Sequence, residues 1–362
     1  MKISNILTNE SFTQDSEVDD DLNFIPKSIL QVYEFLKNKH SEWTFISVIV
    51  GQLCQETFPF GTYNNLKLSL LLSIAASGGD FSSLIPIVAI GKETSHANIL
   101  MTCLGRFTGR FISAINFENT VKKNGTVEAG PLLLARGGVL KVGDWSGISG
   151  KNILKLMREI ETGTVTIEQN QQSFPLNSTV WCYWSCSTEI SKDITTIKQF
   201  MNVFGVPILI DDHINETEII DDLLESATKI DENFSISEND MREYLSYAAK
   251  VEVTMEPQAE KILKDYFQAT RIIRPNALTP KAFEILKKMT ESYAKLCLRK
   301  FTSPVDALAA ISISEKYIKV LFEKDSYSSP DEEKITSIDD FDKYQHRLHT
   351  WLSTFTEDIL NK

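Results

Sequence analysis

Apolar runs of strand length alternate with helix-patterned segments from residue 84 to 185, and from residue 214 onward only helical periodicity remains. Uninterrupted apolar runs bounded by turn residues read as strands buried on both faces, and their alternation with helices favours one parallel sheet. Strands are expected at 84–90, 111–115, 132–142, 179–185 and 206–210, helices at 98–109 and 153–160, and one hairpin arm at 163–169. The expected fold is α/β, a three-layer domain with a mainly parallel sheet followed by a small α-helical domain.

Before this core, residues 1–22 are polar and acidic (Asp15, Glu17, Asp19, Asp20, Asp21) and are expected to be a disordered tail. Pro26 opens a helical pattern, and residues 66–74 read as a buried helix broken at Ser77-Gly78-Gly79-Asp80. Amphipathic helices are expected at 216–224, 238–250, 256–271, 279–299, 303–321 and 341–359. The resulting organisation is a tail at 1–22, an α/β domain at 23–213, a helical domain at 214–322, and a polar linker with a C-terminal helix at 323–362.

The 362 residues carry a net charge of −12, a poor match to sequence-independent attraction for a phosphate backbone. Lys281, Lys287, Lys288, Lys295, Arg299 and Lys300 form a locally basic stretch, read as a solvated helix face. No apolar run approaches the ~18 residues of a membrane span and no signal-peptide layout opens the chain, so a soluble, intracellular protein is expected. Five scattered cysteines (Cys54, Cys103, Cys182, Cys186, Cys297) suggest buried free thiols, and the Asn124 and Asn177 sequons are read as chance matches.

Gly91-Lys92-Glu93-Thr94-Ser95-His96-Ala97-Asn98 stands between a strand-like and a helix-like run, the place of a phosphate-binding P-loop. A Walker A loop, G-x-x-x-x-G-K-[S/T], needs glycines for a tight cradle, a lysine for the β/γ-phosphates and a hydroxyl for Mg²⁺. Counted from Gly91, those late positions are His96, Ala97 and Asn98. The loop keeps its place and lacks its chemistry.

Three further segments carry a family resemblance. Val127-Glu128-Ala129-Gly130-Pro131-Leu132-Leu133-Leu134-Ala135-Arg136-Gly137-Gly138-Val139 resembles the L-E-A-G-A-L-V-L-A-D-x-G-V approach to Walker B in minichromosome maintenance (MCM) helicases. Residues 241–250 resemble the family's Y-I-x-Y-A-R segment, and residues 290–299 its lid helix S-E-A-H-A-R-L-R-L-R. The likeness spans roughly residues 60–322, the AAA+ half without the N-terminal DNA-binding half. With Val142-Gly143-Asp144, it comes nearest the meiotic MCM domain-containing branch.

The resemblance implies an AAA+ P-loop-type domain with a helical lid, and it assigns the catalytic positions residue by residue. The Walker A lysine and serine fall on Ala97 and Asn98, the Walker B pair on Gly143 and Asp144, and the sensor asparagine near Ser185. The arginine finger should lie within 201–205, where no arginine occurs. The lid arginine falls on Lys281, which keeps charge without the bidentate fork, and the DNA-facing hairpin lysine on Gln169. Gly91, Lys92, Ala97, Asn98, Gly143, Asp144, Ser185 and Lys281 thus form a degenerate nucleotide site with no catalytic residue and no metal site. Backbone N–H groups at the helix start, with Lys92 beside them, are all that remains to hold a nucleotide.

Other clusters read as structural: His346 and His349 lack further ligands, Asp211-Asp212-His213 fits a strand exit, and Trp181, Tyr183 and Trp184 suit core packing or a subunit face. The resemblance implies a pseudo-ATPase subunit, nuclear, acting in meiotic recombination, double-strand-break repair and crossover promotion by protein–protein assembly, with no resident cofactor. Expected partners are an MCM-like N-terminal-half protein and other MCM-like subunits, with DNA met only in a complex and no membrane. The alternative is a nucleotide-binding helicase subunit retaining ATP, Mg²⁺ and residual ATPase activity.

Overall fold

Five parallel strands form the central sheet of the computed structural model, which describes residues 24–59, 61–79, 81–114, 120–121, 127–167, 172–186, 193–210, 236–322, 327–331 and 338–360. The strands are β1 (Ile87–Gly91), β2 (Phe111–Ser113), β5 (Val139–Asp144), β8 (Thr179–Ser185) and β9 (Ile208–Leu209), in the order β2-β5-β8-β1-β9. Two short antiparallel pairs lie apart: β3 (Thr120–Val121) with β4 (Val127–Glu128), and β6 (Thr164–Ile167) with β7 (Gln172–Pro175). The chain leaves central β1 for the edge, returns through β5 and β8, then crosses to β9. The carboxyl ends of β1, β5 and β8 therefore meet at a switch point, where α/β sheets place their ligands.

Three helices precede the sheet: α1 (Lys27–Lys37), α2 (Glu42–Gln52) and α3 (Asn64–Ala76). Helices α4 (Ser95–Gly105), α5 (Pro131–Leu134), α6 (Gly150–Thr162) and α7 (Ile194–Val203) connect its strands. Beyond it stand α8 (Glu238–Ala248), α9 (Pro257–Ile273), α10 (Pro280–Leu296), α11 (Pro304–Leu321) and α12 (Asp339–Leu360). Three of these begin with proline, whose fixed φ and missing N–H suit the first turn. Ser303 and Asp306 form a capping box at the start of α11. The expected α/β sheet with a trailing helical region is what the chain builds.

The run 132–142 is not one strand. Gly130 and Pro131 start the short helix α5, and Gly137 (φ +75°) turns the chain so that β5 begins only at Val139. Gly138 passes so close to Arg110 that a Cβ would lie 2.0 Å from its carbonyl oxygen. The tail at 1–22, the helix at 216–224, Asp211-Asp212-His213 and Gln169 lie outside the described residues.

Sheet and helices share one core. Trp181 on β8 is fully buried and donates from Nε1 to Ser73 Oγ at 2.8 Å, while Ser73 and Thr179 both donate to the Ile85 carbonyl. A ring so enclosed is no platform for bases; Trp184 packs against Phe200 at 5.5 Å. The basic stretch is likewise not a free solvated face: Lys281 and Lys288 pair with Glu284, Lys287 with Glu260, and Arg299 with Glu42 and Asp306. Cys182, Cys186 and Cys297 are buried free thiols, whereas Cys54 and Cys103 are half-buried.

Candidate nucleotide site

Gly91 closes β1 in register with Ser185 at the end of β8, and its carbonyl accepts the Cys186 N–H. A Cβ at Gly91 would lie 2.8 Å from Ile210 Cβ. The close approach of Ile210, the residue after β9, thus requires glycine here. Ser185 Oγ donates to the Lys92 carbonyl at 3.0 Å, which ties the loop to β8. Lys92 and Glu93 are exposed, and the Glu93 carboxylate accepts the Ser95 N–H at 2.9 Å at the start of α4. That hydrogen bond holds the Glu93 carboxyl below the usual carboxylate range. A carboxylate of the chain itself sits where a helix N-terminus would receive a phosphate.

Behind the loop, His96 Nδ1 and the Tyr63 hydroxyl are 2.7 Å apart, and Phe58 packs edge-on against both rings. Ala97 is fully buried, a methyl group in a closed core. Asn98 is half-buried, and its Oδ1 accepts a hydrogen bond from Lys141 Nζ at 2.7 Å. Lys141 also donates to Thr102 Oγ1 at 2.6 Å.

Lys141, on the Walker B-like strand β5, went unmarked in the sequence. A single lysine in the run Val139-Leu140-Lys141-Val142 reads as a strand-end charge, yet only 7% of its surface is exposed. Burial pulls its ammonium below the usual lysine range, with the Cys103 thiol opposing, while the oxygens of Asn98 and Thr102 accept its hydrogen bonds. A cation of the chain therefore stands against the position that the resemblance aligns with the Mg²⁺-binding hydroxyl.

At the end of β5 the register slips between Lys141 and Gly143, and Gly143 adopts φ +89°. The position that the resemblance aligns with the Walker B aspartate therefore lies on left-handed backbone beside an irregularity in the strand. Asp144 is exposed and accepts the Ser146 N–H at 2.9 Å, capping the turn Trp145–Gly147. Gly91, Lys92, Ala97, Asn98, Gly143, Asp144 and Ser185 thus gather at the carboxyl ends of β1, β5 and β8.

Lys281 does not join them. It pairs with Glu284 at 3.0 Å and lines a small cavity with Pro86, Thr179 and Lys288, at the opposite end of the strands. Residues 201–205 dock the lid: Met201 O accepts from Thr279, and Gly205 (φ +78°) packs against Ile285. His346 and His349 are exposed. Among the described residues the one cluster with metal-ligand geometry is Glu42, Cys297 and Asp306, and Arg299 bridges its two carboxylates at 2.9 and 2.5 Å.

Comparison with known proteins agrees with this architecture. Residues 239–318 match the MCM AAA-lid domain family. The chain is 23% identical over 328 residues to minichromosome maintenance domain-containing protein 2 of Rattus norvegicus, covering 76% of this chain and 48% of the relative. For the Homo sapiens protein of the same name the figures are 23% over 323 residues, 75% and 47%. Minichromosome maintenance protein MCM of Saccharolobus solfataricus is 22% identical over 295 residues, covering 71% of this chain and 43% of the relative. The chain spans about half the length of the curated relatives it matches. Its parallel sheet, its MCM AAA-lid and these relatives together mark it as a homologue of the minichromosome maintenance proteins.

Proposed function

We propose that the chain is a catalytically silent MCM-like AAA+ subunit that works through its surfaces. The observation that carries this reading is Ala97, a fully buried methyl group at the position where phosphate binding requires an ammonium. Supporting it, Gly143 brings no carboxylate to a metal, Asn98 is already bonded to Lys141, and Glu93 occupies an N–H at the start of α4. Hydrolysis needs phosphate cradling, metal ligation and trans charge neutralisation together, and loss of an arginine finger alone removes about 10³–10⁵ in rate.

An AAA+ ring sets each subunit's nucleotide face against a neighbour, so a silent module can still fill a position and transmit shape. On this reading the partners are other MCM-like subunits and a chain supplying an MCM-like N-terminal half. The net charge of −12 favours contact with DNA only inside such a complex. The likeness to the domain-containing protein 2 relatives supports a nuclear role in meiotic recombination and double-strand-break repair, promoting crossovers.

Co-purification of the tagged chain from meiotic cells tests the assembly. Recovery of MCM-like subunits, reduced when exposed residues of the lid are changed, is the expected result; recovery of none contradicts it. Exposed Lys92 beside α4 favours the second reading, a subunit that still binds ATP with Mg²⁺. Saturable Mg-ATP binding by the purified chain is the result that reading requires.

A further inference from the structure

At the amino-terminal rim of the sheet, strand β2 starts beside three exposed arginines that come from separate segments: Arg106 after α4, Arg110 before β2 and Arg136 after α5. The backbone brings them together. Thr108 Oγ1 bonds the carbonyls of Gly105 and Arg110 at 2.7 and 3.0 Å, which folds the turn between α4 and β2 tightly. Arg110 Nη1 donates to the Leu134 carbonyl at 3.3 Å, and the Arg110 backbone passes against Gly138, two residues beyond Arg136. Leu134, whose carbonyl Arg110 holds, is itself 50% exposed.

No aspartate or glutamate occurs in 104–114 or 129–143, and among the described residues none of the three arginines pairs with a carboxylate. In a chain of net charge −12 this sets them apart, since Lys281, Lys287 and Lys288 of α10 each have an acidic partner. Guanidinium groups grip carboxylates through paired N–H donors, so three unpaired ones on one rim suit acidic side chains. Strand β2 is also the outermost of the sheet, paired on one side only. The Arg110 carbonyl and the Ala114 N–H bond to β5, so the alternating backbone groups of Phe111 and Ser113 turn outward. A short edge strand with charges beside it ordinarily discourages pairing with another sheet. Arginines have that effect on neutral and basic strands, and the opposite effect on an acidic one.

We propose that this rim docks an extended acidic segment of a partner protein, which adds as a strand along the free edge of β2, sets carboxylates against Arg106, Arg110 and Arg136, and lays an apolar side chain on Leu134. Main-chain pairing supplies affinity in such strand addition, and the side chains supply the choice of sequence. The net negative charge of the chain disfavours the same segment elsewhere, which confines it to this edge. DNA fits less well. A phosphate backbone carries about one charge per 1.7 Å over a long path, meets that negative charge beyond the rim, and has no use for an exposed leucine. The proposal is independent of whether the P-loop position binds nucleotide.

The test uses the full 362-residue chain and a fluorescein-labelled peptide, Asp-Glu-Asp-Leu-Glu-Asp-Glu, followed by anisotropy. The same peptide with lysine at every acidic position, and a thymidine oligonucleotide of equal charge, are the comparisons. Saturable binding of the acidic peptide is expected, weakened about tenfold by Arg110→Glu with Arg136→Glu, as two exposed ion pairs are lost. Arg106→Gln, a change to one exposed side chain that leaves the fold intact, should weaken it about threefold, and Leu134→Ser by a similar factor. Arg242→Glu, exposed on α8, should leave it unchanged. Bound peptide should also slow amide exchange at Phe111 and Ser113. The proposal is overturned if the peptide gives no saturable response, if Arg106→Gln and the double variant both bind as the native chain does, or if the two amides stay unprotected. An oligonucleotide that binds as tightly as the peptide overturns it too, since the rim is then a general phosphate contact.

Discussion

Lys67 is the most exposed liability at the residue scale, although its side chain is wholly buried. Its ammonium has no hydrogen-bond partner, and burial pulls its pKa down to about 8, with the Cys54 thiol opposing. Below pH 8 the lysine is charged in both folded and unfolded chains, and the folded state bears the full penalty. Between about 8 and 10.5 the folded chain releases this proton while the unfolded chain keeps it, so the lysine's own contribution to stability rises with pH by about 3 kcal/mol, against thiols such as Cys54, pushed up to about 12, which lower stability above about pH 9. Lys67→Met should stabilise the chain at pH 7 and remove that alkaline rise, measured as denaturant midpoints at pH 7 and pH 10. Equal slopes in both proteins contradict the assignment.

Lys141 is the opposite case, a buried cation whose oxygens are supplied by Asn98 and Thr102. Lys141→Met keeps volume and removes charge. It should cost about 1–3 kcal/mol and loosen α4 specifically, seen as faster amide exchange over 95–105. Unchanged exchange there would show that packing alone holds the helix.

At the scale of elements, legibility followed contrast. The strand at 179–185 carries apolar residues bounded by polar ones, and β8 has those limits. Helix α2 was not foreseen because Trp43, Phe45, Ile46, Val48, Ile49 and Val50 are all buried, which leaves no polar face to show a period. The run 132–142 misled because its leucines belong to a one-turn helix started by Pro131. In the site, the loop's place between β1 and α4 was readable from the residues on either side of it. The Lys141 contact and the bulge before Gly143 were not, because both depend on which strand faces which helix.

The lid joint is an element-scale feature with a sharp test. A Cβ at Gly205 would lie 2.6 Å from Ile285 Cγ1 and 2.9 Å from the Lys281 carbonyl, and φ is +78°. Gly205→Ala should therefore cost about 2–4 kcal/mol and displace α10 from α7. Loss of protection confined to 280–296 supports this; a mutant as stable as the parent contradicts it.

For the whole molecule, buried links that no nucleotide supplies close the lid on itself and join it to the segment that leads into the sheet. Arg274 pairs with Glu315 at 3.1 Å, and Tyr266 donates to the same carboxylate at 2.7 Å, all three nearly or fully buried. Lys288 donates to the Leu84 carbonyl just before β1. A scaffold closed in this way holds its shape through its own side chains, as the proposed assembly role requires. Reversal should also fail: Ala97→Lys forces a long side chain into a closed core and Gly143→Asp places a Cβ on left-handed backbone, each costing about 1–3 kcal/mol.

The central claim is tested most directly by calorimetric titration of the purified chain with ATP and Mg²⁺. No saturable heat up to about 1 mM, the upper end of ordinary substrate affinities, is the expected result. Saturable binding in the micromolar range, or release of phosphate above the buffer rate, contradicts it.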